Sequence, residues 1–182
     1  MTGVQTCALP ICEAIRLSVE DTKIAPCGTT IWGDGFSVRV PEVDLYLVRG
    51  RPMRGDLCLR MRGDWPGGSY NVYPFTVSEP GLSPQEAWQI HARQQMARKF
   101  LTEYHISSQY TNIWHSSDAW FQTGYIASEL VAANCVIRRG TNYYWIDRSI
   151  GLLSSDSLDL TNTESQAEHD LKTFLGSFRL DQ

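Results

Sequence analysis

The chain has 182 residues, with 16 Lys and Arg against 20 Asp and Glu, a formal charge of −4 and 42% apolar residues. A mild acidic balance without a Lys/Arg run excludes an electrostatic nucleic-acid footprint, and no apolar run approaches the roughly 18 residues a membrane-spanning helix needs. A chain of this size buries about two-thirds of its unfolded surface and needs neither disulfide nor metal to fold.

In chain order, the first stretch is "TGVQTCALPI", residues 2–11, uncharged and without helical or strand period. Back-translated, it reads as a common short-read sequencing-adapter oligonucleotide, with a GTG start written as Met1 and Cys12 at the junction. Residues 1–12 are therefore set aside as an adapter-derived artefact, and the natural start of the gene is expected upstream of Glu13. Residues 13–27 are polar with scattered apolar positions and receive no role. A single α+β domain is expected over residues 28–182. Of the five cysteines, Cys7 and Cys12 belong to the artefact and its junction. Cys27, Cys58 and Cys135 have no C-x-x-C spacing, which excludes a zinc ribbon or a thioredoxin-type motif. They are expected as small buried thiols, with a Cys27–Cys58 disulfide as the alternative in an exported protein.

From Thr30 the pattern sharpens. Gly33-Asp34-Gly35 between two β-rich runs predicts a hairpin turn, and Phe36, Val38 and Val40 alternate with Ser37 and Arg39, as on a strand with one buried and one wet face. "VDLYLVR" and "DLCLRMR" repeat the alternation. "GDWPGG" is a loop with Trp65 expected in solvent, and "SYNVYPFTV" is a strand in which Pro74 predicts an edge position or a bulge. Ser83, Pro84 and Glu86 make a capping box that opens a helix running to about Tyr104. Its apolar stripe is Trp88, Ala92, Met96 and Phe100, flanked by Ala97, Leu101 and Tyr104.

Four β segments follow, "HISSQYTNI", "AWFQTGYIASEL", "NCVIRRG" and "NYYWIDRSI", linked by short turns that include residues 139–142. Consecutive strands with short links predict an antiparallel meander. Thr161 and Glu164 predict a second capping box. Ala167, Leu171, Phe174 and Leu175 line the closing helix, Gly176 is expected to stop it, and "SFRL" trails as an extended piece. The fold expected is one antiparallel sheet with a central crossing helix and a C-terminal helix.

Few residue patterns in the sequence point to chemistry. His91, His105, His115 and His169 show no metal-ligand spacing. His115 and Asp118 lie close in "WHSSDAW", yet a Ser-His-Asp site needs a nucleophile on a strained turn with oxyanion donors nearby, and "HSSD" reads as a hairpin loop. Cys135 falls in mid-strand in phase with Ala133 and Ile137, as a core thiol would. Glu129 and Asp147 sit on strands without a distinguishing pattern. Phosphate-binding glycine loops and nucleophile elbows are absent from the sequence. No catalytic, metal or cofactor residue is assigned. Of Tyr143, Tyr144 and Trp145, at least one is expected outside the core. Exposed aromatics suit contacts with protein or carbohydrate, unless a helix covers the second sheet face.

"GDGFSVRVP", "LSPQEAWQIHARQQM", "AWFQTGYIASEL…NCVIRRGTNYYWI" and "AEHDLKTFLGSFRL", in that order, resemble the Mog1/PsbP-like α/β/α sandwich superfamily. The resemblance implies a fold and, more loosely, a binding or accessory role with no catalytic residues carried over. The leading expectation is a non-enzymatic binding domain of a bacterial envelope or secreted protein, using a sheet face or loop rim to meet a protein partner. Periplasmic or outer-envelope placement is expected, with a signal peptide or lipid anchor upstream of Glu13. A cytosolic secretion-effector chaperone and a hydrolase using His115 and Asp118, or Cys135, are the alternatives.

Overall fold

The structure is a computed structural model that describes residues 14–16, 23–25, 28–33, 35–40, 45–49, 57–61, 68–97, 104–115, 117–126, 130–151 and 160–180. Strands β1 (Ala14–Arg16), β2 (Lys23–Ala25), β3 (Thr30–Trp32), β4 (Phe36–Arg39), β5 (Leu45–Arg49), β6 (Leu57–Met61) and β7 (Ser69–Thr76) precede helix α1 (Pro84–Ala97). Strands β8 (Tyr104–Trp114), β9 (Ser117–Ile126), β10 (Leu130–Arg139) and β11 (Asn142–Gly151) then lead to α2 (Leu160–Ser177) and β12 (Arg179–Leu180).

The meander is the spine of the molecule. β8, β9, β10 and β11 pair antiparallel in succession, β7 pairs with β11, and the eight-stranded order is β2-β5-β6-β7-β11-β10-β9-β8. Tight hairpins set the register. Arg139 faces Asn142 across a two-residue link in which Gly140 has φ 60°, the positive φ that a II′-type hairpin demands at its first central position. Trp114 faces Ser117, and His115 takes φ 44° in the turn between them, so "HSSD" is the hairpin its composition suggests.

Pro74 does not mark an edge strand, because β7 is interior. Its described pairings with β6 run only from Ser69 to Val72, whereas those with β11 continue through Thr76. Pro74 thus lies beyond the described β6 ladder, where its missing N–H removes no bond from it.

The two helices cover opposite sheet faces. The capping box of α1 is complete: the Ser83 amide and hydroxyl donate to Glu86 Oε2 at 2.9 and 2.7 Å, and the Glu86 amide returns a bond to Ser83 Oγ at 3.3 Å. Tyr143 Oη and an Arg138 guanidinium nitrogen both donate to the Leu82 carbonyl, at 2.9 and 3.0 Å, pinning the start of the helix to β11 and β10. Ala87, Ala92 and Trp88 pack toward the sheet, with Phe75, Trp120, Val136 and Tyr143 beneath. Met96, Phe100 and Leu101 lie outside the described side chains, and Tyr104, expected as the helix's end, opens β8 instead.

On the other face Ala167, Leu171, Phe174 and Leu175 are all buried against Val131, Ala133, Cys135 and Ile137 of β10 and their neighbours. The second capping box does not form. α2 already begins at Leu160, so Thr161 sits inside the first turn, and Glu164 accepts from Ser107 Oγ of β8 at 2.6 Å. Gly176 does not stop the helix either, which runs to Ser177. Ser177 Oγ donates to the Phe174 and Arg39 carbonyls and accepts from the Arg39 amide, tying the helix end to β4.

A second sheet, ordered β1-β3-β4-β12, corrects the single-sheet expectation. The β3–β4 hairpin forms as its glycines suggest, with Gly35 at φ 74°. β12 then returns antiparallel to β4, burying Ser37 beside Phe36 and Val38. β1 runs parallel to β3 over three residues, while the other ladders among the described strands are antiparallel. Phe178, fully buried between α2 and β12, stacks on Phe36 at 5.3 Å and tilts against Trp114 at 5.6 Å, joining the small sheet to the large one. Because both faces of the large sheet are covered, Tyr143 and Tyr144 are both buried, and neither is a free surface aromatic.

Candidate functional site

Cross-strand register sorts the face beneath α1 into rows. Trp120, Val136, Trp145 and Tyr73 oppose one another across β9, β10, β11 and β7, forming an aromatic row on which Trp88 and His91 sit. The next row is Gln109, Gln122, Asn134, Asp147 and Asn71. It begins at the exposed β8 edge and becomes fully interior, with Gln122, Asn134, Asp147 and Asn71 each below a tenth exposed. The row after that is small in the middle of the sheet, with Gly124, Ala132, Ser149 and Ser69, and meets Ile106 at the β8 edge. Gly124 is required in mid-strand, since a Cβ there would run into the His105 carbonyl oxygen where β8 bulges between Ile106 and Ser108.

Most of the polar row is internally bonded. Asn71 Nδ2 and Ser149 Oγ donate to Asp147 Oδ1 at 2.8 and 2.9 Å, and Trp145 Nε1 donates to Asn134 Oδ1 at 2.9 Å. Burial pushes the Asp147 carboxyl up to about 6, against the downward pull of those two bonds and of the adjacent Arg148 charge. Gln122 is the exception. It is 1% exposed, and neither its Nε2 nor its Oε1 has a hydrogen-bond partner.

The second feature is the edge itself. β8 ends the large sheet and is eleven residues long. His105, Ile106, Gln109, Thr111, Asn112 and Ile113 are exposed, with Ile106 at 47% and Ile113 at 71%. The Ile113 amide donates to Asn112 Oδ1 at 2.8 Å. By the alternation of an antiparallel ladder, the amides of Thr111 and Gln109 share its outward phase. Sheet edges are normally blunted by shortness or charge. Among the described strands the other edges follow that rule: β1 carries Arg16, β2 carries Lys23 and β12 carries Arg179, each in two or three residues. β8 carries neither Lys, Arg, Asp nor Glu.

The residues singled out by sequence are not brought together. The Asp118 carboxylate is ion-paired with Arg138, while the His115 ring meets Trp114 edge-on at 4.4 Å. The Cys135 thiol is fully buried in the core beneath α2, and burial pushes its pKa well up, which disfavours the nucleophilic thiolate. Asp147 is placed in the polar row; Glu129, Trp65 and Cys27 lie outside the described residues, as does the Cys58 side chain. Among the described residues no three His, Cys, Asp or Glu side chains group as a metal site, and no helix is long and apolar enough to cross a membrane. Sequence reasoning missed Gln122 and Asn134. Their signal was a lone amide inside an apolar strand, in "AWFQTG" and "AANCV", and only the register shows that the two face each other.

No family model and no curated protein sequence matches the chain. Solved structures do. Cyanobacterial PsbP from Synechocystis sp. PCC 6803 superposes with a TM-score of 0.58 at 10% identity, covering 82% of this chain and 90% of that one. The Ran-binding protein Mog1p of Saccharomyces cerevisiae gives 0.55 at 14% identity, over 80% and 90% of the two chains. A Mog1 point mutant gives 0.54 at 14%, over 90% and 98%. At such identities the likeness concerns the backbone, and it agrees with the layering derived above: a helix on each face of an antiparallel meander. The chain has a Mog1/PsbP-like α+β sandwich fold.

Proposed function

We propose that residues 28–182 form a single non-enzymatic binding or accessory domain of a bacterial envelope or secreted protein, which takes an extended strand of a partner protein on the open edge of β8. The observation that carries this reading is the contrast among the described edges: three are short and cationic, whereas β8 is long, uncharged and carries exposed Ile106 and Ile113. Strand addition draws its affinity from main-chain bonds and its selectivity from side chains on alternate positions. Here those positions are Gln109, Thr111 and Ile113. One structural neighbour is by its name a Ran-binding protein, which is consistent with a protein partner on this fold.

The test is Thr111→Pro, with Thr111→Lys as a second variant. The Thr111 amide faces away from β9, so proline there leaves the β8–β9 ladder intact while blocking a strand on the outer side. Partner binding is expected to fall at least about tenfold, equivalent to about 1.4 kcal/mol, with little change in thermal stability. Undiminished binding by both folded variants contradicts the reading. Envelope placement is tested separately by the genomic segment upstream of Glu13, which is expected to encode a signal peptide or lipobox; a leaderless start there contradicts it.

A further inference from the structure

We infer that β8 pairs with β8 of a second copy of this chain, antiparallel about a two-fold axis, and that this self-pairing competes with a partner strand for the same edge. The inference rests on the reading of β8 as a strand-accepting edge and starts from the order of its outward positions. Ile113, Thr111 and Gln109 share the outward phase. Below them Ser107 is the extra residue of the bulge, since Ser108 faces Thr123 and Ile106 faces Gly124. The next outward position is therefore Ile106. Along the edge the outward residues run Ile106, Gln109, Thr111, Ile113, with a branched apolar side chain at each end and uncharged polar ones between. All four project on the α1 side of the sheet, in the rows of Gly124, Gln122, Trp120 and Asp118.

That order is self-complementary. A two-fold interface sets one patch against itself, and residues directly opposite in an antiparallel ladder meet on one face. With the axis between Gln109 and Thr111, Gln109 meets Thr111 of the second copy and Ile106 meets Ile113 of the second copy, each pair occurring twice. The isoleucines, 47% and 71% exposed in the single chain, then cover each other. Charge permits the same arrangement. A two-fold brings groups near its axis close to their own copies, so a self-pairing edge has to be locally neutral. β8 carries neither Lys, Arg, Asp nor Glu, and the Glu168 carboxylate that accepts from Tyr110 Oη is paired with Lys172 at 2.7 Å. Glu164 accepts from Ser107 Oγ, toward one end of the edge and away from the axis. The Ile113 amide is capped by Asn112 Oδ1 at 2.8 Å, so the central Gln109 and Thr111 pairs supply the main-chain bonds and the interface is small. Small interfaces are weak. A dissociation constant on the order of 100 µM is expected, which leaves the chain monomeric at about 5 µM, with the Gln109 and Thr111 amides open.

Sedimentation equilibrium from about 5 µM to about 500 µM tests this. Wild type is expected to pass from 20.6 kDa toward twice that mass, and Thr111→Pro to stay monomeric throughout. Ile106→Glu and Ile113→Lys, both at exposed positions, are each expected to weaken association at least about tenfold. Carried together in one chain, they are expected to restore it to within about threefold of wild type, because the register sets each new carboxylate opposite a new ammonium. A dimer that survives Thr111→Pro, or a double variant no tighter than the weaker single one, overturns the inference. So does a wild-type chain that stays monomeric at the highest concentration; that result leaves the edge to a foreign strand, a reading that falls only if Thr111→Pro and Thr111→Lys leave partner binding undiminished.

Discussion

Buried at 6% exposure between Asn71 and Ser149, Asp147 gives the protein a pH-dependent stability. Its carboxyl sits at about 6 in the folded chain against 3.8 for the ordinary group. The folded state therefore holds its proton over a range in which the unfolded state has lost it. Stability is greatest below the unfolded value, falls as pH rises through about 6, and is flat above, the loss amounting to about 3 kcal/mol. Asn in place of Asp147 keeps an oxygen for both donors and removes the buried charge. Asp147→Asn is expected to be more stable than wild type above about pH 6 and to lack the slope, as read from urea melts across that range; destabilisation at neutral pH would contradict the account. On the opposite face, Arg148 is 5% exposed, lies over the Tyr70 ring and is paired with Asp170 at 3.1 Å. Asp170→Ala removes the carboxylate paired with a buried guanidinium and is expected to destabilise the fold, measured by chemical denaturation.

At the scale of elements, two similar sequence patterns behave differently. Ser83 and Glu86 satisfy each other at the start of α1, whereas Thr161 lies one residue inside α2 and Glu164 is engaged by Ser107. Ser83→Ala is expected to lower the melting temperature by about 2–4 °C, and Thr161→Ala to leave it within error; equal losses would mean that α2 begins later than described. This pair also shows what the sequence can disclose. Signals that act within a few residues are legible: the Ser83 box, the Gly33 to Gly35 turn, the Gly140 hairpin and the alternation along β9, β10 and β11. Features decided by distant partners are not. Pro74 looks like an edge residue until the short reach of β6 is seen, and Gly176 looks like a stop until Ser177 is found bonded to Arg39. The polar row is invisible for the same reason, since Gln122, Asn134, Asp147 and Asn71 are up to 76 positions apart in pairwise contact and meet only through register.

For the molecule as a whole, α1 and α2 close both faces of the large sheet, and β12 returns to complete the small one. Phe178 joins the two sheets through Phe36 and Trp114, so Phe178→Ala is expected to destabilise the fold by about 3–5 kcal/mol, a loss readable in denaturant midpoints. Covering the faces moves the open surface to the sheet's margin, and among the described margins only β8 is both long and uncharged. The most direct test is residue-resolved amide hydrogen exchange along β8, free and with the partner bound. In the free chain Tyr110 and Asn112 are expected to be protected by β9 while Gln109 and Thr111 exchange freely, and binding is expected to slow Gln109 and Thr111 to the rate of their neighbours. Protection of all four in the free chain, or binding that leaves Gln109 and Thr111 exchanging as before, would contradict strand addition at this edge.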